Sequence, residues 1–178
     1  MEEMTAGFAA WVAETLEKII AHYTPYFVFE HNVQFAGEQL ALVAQMHNQQ
    51  QGAIMGFRIS QMGPQASEYI FVLREDVFDS TCFARVEALL SEAQREYVKP
   101  DPNQAYTILS AIILASCIDA QAEAALKRHK PRGSDKGLNG MGWSFARIAV
   151  VGQEGRVISD RNGTDLCALM QRALGTGR

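Results

Sequence analysis

Cysteine and long apolar runs are scarce in this chain, and each scarcity excludes a class of protein. The three cysteines are odd in number and far apart, and no Cys-x-x-Cys pair occurs, so neither a disulfide framework nor a zinc site is predicted. The longest apolar stretch, 108–118, is interrupted by serines and is too short to span a bilayer. The first residues are acidic and lack the basic and apolar regions of a signal peptide. We therefore expect a cytoplasmic protein with no membrane partner.

Recognised catalytic, metal-binding and phosphate-binding motifs are also missing. The sequence contains no Gly-x-Ser-x-Gly elbow, no His-Glu-x-x-His or His-x-His pair, and neither form of glycine-rich phosphate loop. The acidic-x-Lys element of magnesium-dependent nucleases is absent from the predicted strands. We predict no metal site and no bound cofactor, and whether the protein is an enzyme stays open.

Apart from these absences, the amino-acid composition is that of an ordinary globular domain. The chain has 178 residues, of which 48% are hydrophobic and 20% are charged, so residues 1–178 are predicted to form a single domain with a sizeable core. The net charge of -4 argues against nucleic acid as a partner, because the phosphate backbone attracts proteins of the opposite sign.

Hydrophobic periodicity predicts an α+β fold. Apolar residues recur at helical spacing over 5–23, from a cap at Asp76 or Asp79 as far as 97, from a cap at Asp119 towards 129, and from a cap at Thr164 onwards. They alternate at strand spacing over 27–35, 39–47 and 145–151, and further strands are expected at 53–59 and 69–74. Residues 108–118 fit either a central strand covered on both faces or a buried helix.

A hairpin is predicted at the first pair of strands. A two-residue turn at Ala36-Gly37 places Phe35 opposite Glu38 and Phe29 opposite Ala44, with the apolar residues of both strands on one face. Because several strands follow one another before helices alternate with them, we expect an antiparallel or mixed sheet of about five to seven strands, with the helices mainly on one face.

The most basic part of the chain precedes a second predicted hairpin, in which a turn at 152–155 joins the strand 145–151 to a return strand at 156–159. Its cations surround a short Pro-Arg-Gly-Ser loop, and only Asp135 opposes them; they are Lys127, Arg128, Lys130, Arg132 and Lys136. Such a cluster could hold a phosphate, a nucleotide tail or a nucleic-acid backbone. The alternative is a solvated loop whose first cations complement the helix dipole.

Arg147 lies on the core-facing side of a predicted strand, with Phe145 and Ala149 as its neighbours on that side. A charge in such a position needs a carboxylate or a ligand as partner. The carboxylates considered are Glu30, Glu75, Asp76 and Asp160. A structural ion pair and a ligand site are both open, and Asp160-Arg161-Asn162-Gly163 could either line a site or form a turn.

The segment from Gly142-Trp143 through Arg147 to Asp160-Arg161-Asn162-Gly163 resembles a family of small uncharacterised prokaryotic proteins. In that family a Gly-Trp strand is followed by a turn and an Arg-x-Gly element, and the resemblance extends more weakly back to the first hairpin. The family has no assigned activity, so the resemblance implies a shared fold and no catalytic residue.

Two functional hypotheses follow. The leading one is a non-enzymatic binding or interaction module whose partner is an unknown protein or a small anionic ligand, with a homodimer as an open alternative. The other is an enzyme or nucleotide-binding protein that acts on a phosphate-bearing small molecule through a basic site. The candidate ligand-binding residues are Arg132, Lys136, Trp143, Arg147, Asp160 and Arg161.

Overall fold

The fold is described from a computed structural model. It covers the chain except residues 1, 25, 50–52, 55–56, 59–64, 99–103, 132, 134–142 and 176–178, and it describes only the backbone at 2–5, 47–49, 53–54, 57–58, 65 and 104–105. The elements in chain order are α1 (Glu2–Tyr23), β1 (Val28–Phe35), β2 (Glu38–Gln49), β3 (Ala53–Ile54), β4 (Phe57–Arg58), β5 (Gln65–Phe78), α2 (Ser80–Tyr97), β6 (Gln104–Ile118), α3 (Ala120–Arg128), β7 (Trp143–Gly152), β8 (Val157–Ser159) and α4 (Thr164–Ala173).

The described strands form one six-stranded mixed sheet, in the order β1-β2-β5-β6-β7-β8, and a separate pair, β3-β4. Strands β5, β6 and β7 are parallel to one another, whereas β1, β2 and β8 run antiparallel to their neighbours. Helices α2 and α3 make the two connections between the parallel strands. The predicted α+β class and mixed sheet are confirmed.

The expectation that the helices lie mainly on one face of the sheet is wrong. Helices α2 and α3 cover one face, and α1 and α4 cover the other. The central strands bury apolar side chains on both sides, as Phe71 and Leu73 on the α2/α3 face and Ile70 and Val72 on the α1/α4 face show. A sheet that is apolar on both faces needs cover on both.

The apolar residues 108–118, which fitted either a central strand or a buried helix, belong to strand β6. Its residues from Leu109 to Ala115 are buried on both faces, which explains a continuous apolar sequence without alternation. The expected third strand at 53–59 is not a strand of the main sheet, because Ala53 and Ile54 pair with Arg58 and Phe57 in the separate β3-β4 pair. The remaining positions of that prediction lie outside the described residues.

The first hairpin has the predicted register but not the predicted single apolar face. Phe35 pairs with Glu38, and Phe29 pairs with Ala44. Phe29 nevertheless packs on the α1/α4 side, whereas Phe35 packs on the α2/α3 side. Asn32 lies between them with a φ of 54°, outside strand geometry, and the change of face occurs there.

Two aspartates begin the helices that flank the parallel strands. The carboxylate of Asp79 accepts from Cys82 N at 2.8 Å, and that of Asp119 accepts from the amides of Gln121 and Ala122 at 2.9 Å. Asp119 was expected as a cap, and Asp79 was one of two candidates, the other being Asp76. At α4 the cap position belongs to Gly163, and Thr164 is the first helical residue.

Candidate functional site

Arg147 is bound to carboxylates. Its side chain is 7% exposed; Nη2 lies 2.6 Å from Glu68 Oε1, Nε donates to Ser110 Oγ at 2.8 Å, and Nη1 pairs with Asp165. Three strands and a helix therefore meet at one guanidinium, because Ser110 is the register partner of Arg147 on β6 and Glu68 projects from β5. None of the four carboxylates considered from the sequence bonds to it; Glu75, for example, pairs with Arg85 at 2.7 Å.

Tyr23 of α1 completes this Arg147 cluster, which consists of Tyr23, Glu68, Ser110, Arg147 and Asp165. Its hydroxyl is buried and has no hydrogen-bond partner among the described residues. Burial, and then the charge of Glu68, raise the pKa of Tyr23, and burial also raises the pKa of Glu68 although Arg147 opposes that shift. The cluster is a buried ionic network that reaches solvent at Asp165, whose side chain is 68% exposed.

Sequence reasoning missed Glu68 and Asp165, although Glu68 leaves a signal. Glu68 shares strand parity with Ile70 and Val72, so it is an acidic residue on an apolar stripe. Its match with Arg147 depends on how β5, β6 and β7 align, and those strands are far apart in sequence.

Asp160 organises the turn between β8 and α4. The residue is 2% exposed; its Oδ2 accepts from Ile148 N at 3.1 Å, and its Oδ1 is buried without a partner in the described part of the chain. The amides of Gly163 and Asn162 face the carboxylate, but burial outweighs them and raises the pKa of Asp160 to about 7.

The rest of this turn ties β7 to the start of the basic segment. Asn162 Nδ2 donates to Ala146 O at 2.9 Å and to Pro131 O at 3.2 Å. The backbone amide of Arg161 donates to His129 O at 3.0 Å, while its side chain is exposed. Residues 160–163 thus form a turn and also hold the segment from His129 to Pro131 against β7.

The six predicted site residues do not share one location. Trp143 is half-buried at the beginning of β7 and stacks on Tyr106, with ring centroids 5.0 Å apart. Arg147 is in the cluster beneath α1 and α4, and Asp160 and Arg161 are in the turn. Arg132 and Lys136 lie outside the described residues.

A pocket opens where the turn meets the basic segment. This α2–α3 pocket has a volume of about 270 Å³ and is lined by Glu87, Leu90, Ser91, Gln94, His129, Lys130, Pro131 and Ala146. His129 Nδ1 lies 3.5 Å from Glu87 Oε1, and the imidazole packs edge-on against Phe83. Glu87, Ser91 and Gln94 follow one face of α2, a polar stripe that the sequence analysis did not single out.

Gly133 holds the segment beyond the pocket close to β7. A Cβ at this position would lie 2.1 Å from Ser144 O, so no side chain fits without moving the backbone. Three alternate residues of this segment are therefore held against the rest of the protein. The carbonyls of His129 and Pro131 accept hydrogen bonds from the 160–163 turn, and Gly133 packs closely against β7.

A second cavity lies on the opposite face of the sheet. This α1–β5 cavity has a volume of about 430 Å³ and is lined by Phe8, Ala9, Val12, Arg74, Glu75 and Asp76. Neither cavity is lined by Arg147. Within the described ranges, no group of three or more His, Cys, Asp or Glu side chains is placed to hold a metal ion, and no helix is long and apolar enough to cross a bilayer.

Comparison with known proteins identifies a family but no activity. No curated protein and no solved structure matches the chain. The family described as a domain of unknown function, DUF8052, matches residues 12–172. This span runs from α1 to α4 and contains the Arg147 cluster, the 160–163 turn and the α2–α3 pocket. The chain therefore belongs to the DUF8052 family, whose function is unknown, in agreement with the expectation of an uncharacterised family.

Proposed function

We propose that this protein is a non-enzymatic binding module that takes a small anionic molecule in the α2–α3 pocket. One observation carries the proposal. The pocket is lined by His129, Lys130 and Pro131, which in the sequence lead directly into the cations Arg132 and Lys136. Small-ligand sites combine an apolar floor with a few polar groups, and Leu90 and Ala146 supply such a floor.

The charges around the pocket favour an anion. Lys130 and Arg161 are exposed and have no ion pair among the described residues, whereas Lys127 is neutralised by Glu123 at 2.6 Å. Among the described residues that line the pocket, Glu87 is the only carboxylate, and it faces His129. An ammonium that is not engaged elsewhere can bind a phosphate or carboxylate directly.

The 160–163 turn supports the proposal because it holds the pocket wall in place before any ligand arrives. Asn162 binds the carbonyls of Pro131 and Ala146, which line the pocket from two different segments. A site that is already ordered loses less conformational entropy when it binds. In this proposal Arg132 and Lys136 contact the ligand, and Asp160 and Arg161 support the wall of the pocket. Trp143 has a structural role in its stacking on Tyr106, and Arg147 has one in the Arg147 cluster.

The setting of the module is also part of the proposal. The composition and the resemblance support a cytoplasmic protein of prokaryotes, and the acidic net charge supports a partner other than nucleic acid or membrane. A homodimer is the alternative to a monomer, and light scattering coupled to size-exclusion chromatography decides between them.

The direct test is titration of the protein with inorganic phosphate, AMP and glucose 6-phosphate, with adenosine and glucose as uncharged counterparts. We expect at least one anion to bind, with amide NMR shifts at residues of the pocket, and Lys130→Ala to weaken it about tenfold, because a hydrogen bond to a charged group contributes about 1.5–3 kcal/mol. Lys18→Ala is the matched control, since Lys18 pairs with Glu14 on α1.

The proposal fails if no anion binds, or if Lys130→Ala binds as well as the parent. Turnover of a bound phosphorylated compound would instead establish the competing hypothesis, an enzyme that acts on a phosphate-bearing small molecule. Addition of salt should weaken binding to this open site, because exposed charges are screened by ions.

A further inference from the structure

The α1–β5 cavity lies at the carboxyl end of a parallel strand, where the sheet changes character. Strand β5 pairs antiparallel with β2 on one side and parallel with β6 on the other. After Phe78 the chain leaves for α2 on one face, while α1 covers the other face. Crevices outside the carboxyl ends of strands are the usual binding places of open α/β sheets.

Two unpaired charges of opposite sign line this cavity. Arg74 and Asp76 are exposed, and neither has an ion-pair partner in the described part of the chain. Strand alternation places them on the same face, roughly 6.7 Å apart along β5. The intervening Glu75 does not compete for Arg74, because Arg85 holds its carboxylate at 2.7 Å.

Helix α1 supplies an apolar wall opposite these charges. Phe8, Ala9 and Val12 line the cavity. The side chains of Phe8 and Val12 are largely buried, and the ring of Phe8 stacks on that of Trp11 with centroids 5.7 Å apart. The volume of about 430 Å³ lies within the range of small-molecule sites. The cavity therefore combines one unpaired cation, one unpaired anion and an apolar surface.

We infer that the α1–β5 cavity is a second ligand site, which binds a free α-amino acid with an apolar side chain. The carboxylate of the ligand pairs with Arg74, its ammonium group pairs with Asp76, and its side chain lies on Phe8, Ala9 and Val12. A ligand that carries only one of the two charges leaves the other protein group without a partner. This inference is independent of the proposed function, because the two cavities share no residue and lie on opposite faces of the sheet.

The test uses L-leucine and two analogues that each lack one charge. 4-Methylpentanoate has no amine, and isopentylamine has no carboxylate. In calorimetric titrations of the full chain at millimolar ligand we expect leucine to bind, and each analogue to bind about tenfold or more weakly, since each loses a charge-assisted hydrogen bond. Amide NMR shifts should appear at Phe8–Val12 and at Arg74–Asp76.

Variants locate the site and separate it from the α2–α3 pocket. Arg74→Ala and Asp76→Asn should each weaken leucine binding about tenfold. Lys130→Ala, and Arg95→Ala at an exposed arginine of α2, should leave it unchanged. The thermal midpoint of each variant shows that it is folded. The inference is overturned if leucine does not bind, if either analogue binds as well as leucine, or if Arg74→Ala has no effect.

Discussion

Replacement of Arg147 by methionine is the sharpest test of how this fold is held together. The substitution keeps much of the side-chain volume but leaves Glu68, whose side chain is 13% exposed, without its cation. Removing one partner of a buried ion pair costs about 3–5 kcal/mol, because the remaining charge stays desolvated. The second pair adds little, because Asp165 is 68% exposed and such pairs contribute about 0–1 kcal/mol.

We therefore expect Arg147→Met to lower the free energy of unfolding by about 3–5 kcal/mol and the thermal midpoint by about 6–20 °C. Asp165→Asn is the matched control and should cost less than about 1 kcal/mol. The double variant Arg147→Met with Glu68→Leu should recover most of the loss, since a buried pair replaced by apolar residues is often neutral or stabilising.

Urea denaturation followed by circular dichroism measures all three differences. A loss below about 1 kcal/mol in Arg147→Met would refute the reasoning, since a buried Glu68 could not then depend on its partner. So would a double variant as unstable as the single one. Either result would return Arg147 to the list of residues available to a ligand.

Two further predictions concern the 160–163 turn. Burial raises the pKa of Asp160 from 3.8 to about 7, so between those values the folded protein keeps a proton that the unfolded chain has released. Stability should therefore fall as the pH rises through this window, by at most about 1.4 kcal/mol per pH unit from this group. Asp160→Asn should flatten the fall in a series of urea midpoints, and an unchanged slope would contradict the assignment. Gly163→Ala should cost about 1–3 kcal/mol, because its Cβ would lie 2.6 Å from Ile148 O. In the control, Gly7→Ala on α1, the new Cβ would have no atom within 4 Å apart from its chain neighbours and the backbone of its own helix, and we expect about 0.5–1 kcal/mol of stabilisation.

Local features of this fold could be predicted because their causes are local. The aspartate caps at 79 and 119, the first hairpin register and the turn after β7 depend on residues a few positions apart. Even here the outcome differed from the pattern. The apolar residues of the first hairpin divide between two cores on either side of Asn32, whose positive φ no periodic pattern reveals.

The sequence by itself determined the α+β class, the helices and strands outside 53–59 and 108–118, and the need of Arg147 for a partner, since periodicity, caps and a charge on an apolar stripe act over short distances. Only the tertiary structure decided that Glu68 and Asp165 meet that need, that helices cover both faces, and that two cavities lie where they do. The physical reason is register. Glu68 and Arg147 are 79 residues apart, and the alignment of β5, β6 and β7 that joins them is set by packing of the whole sheet.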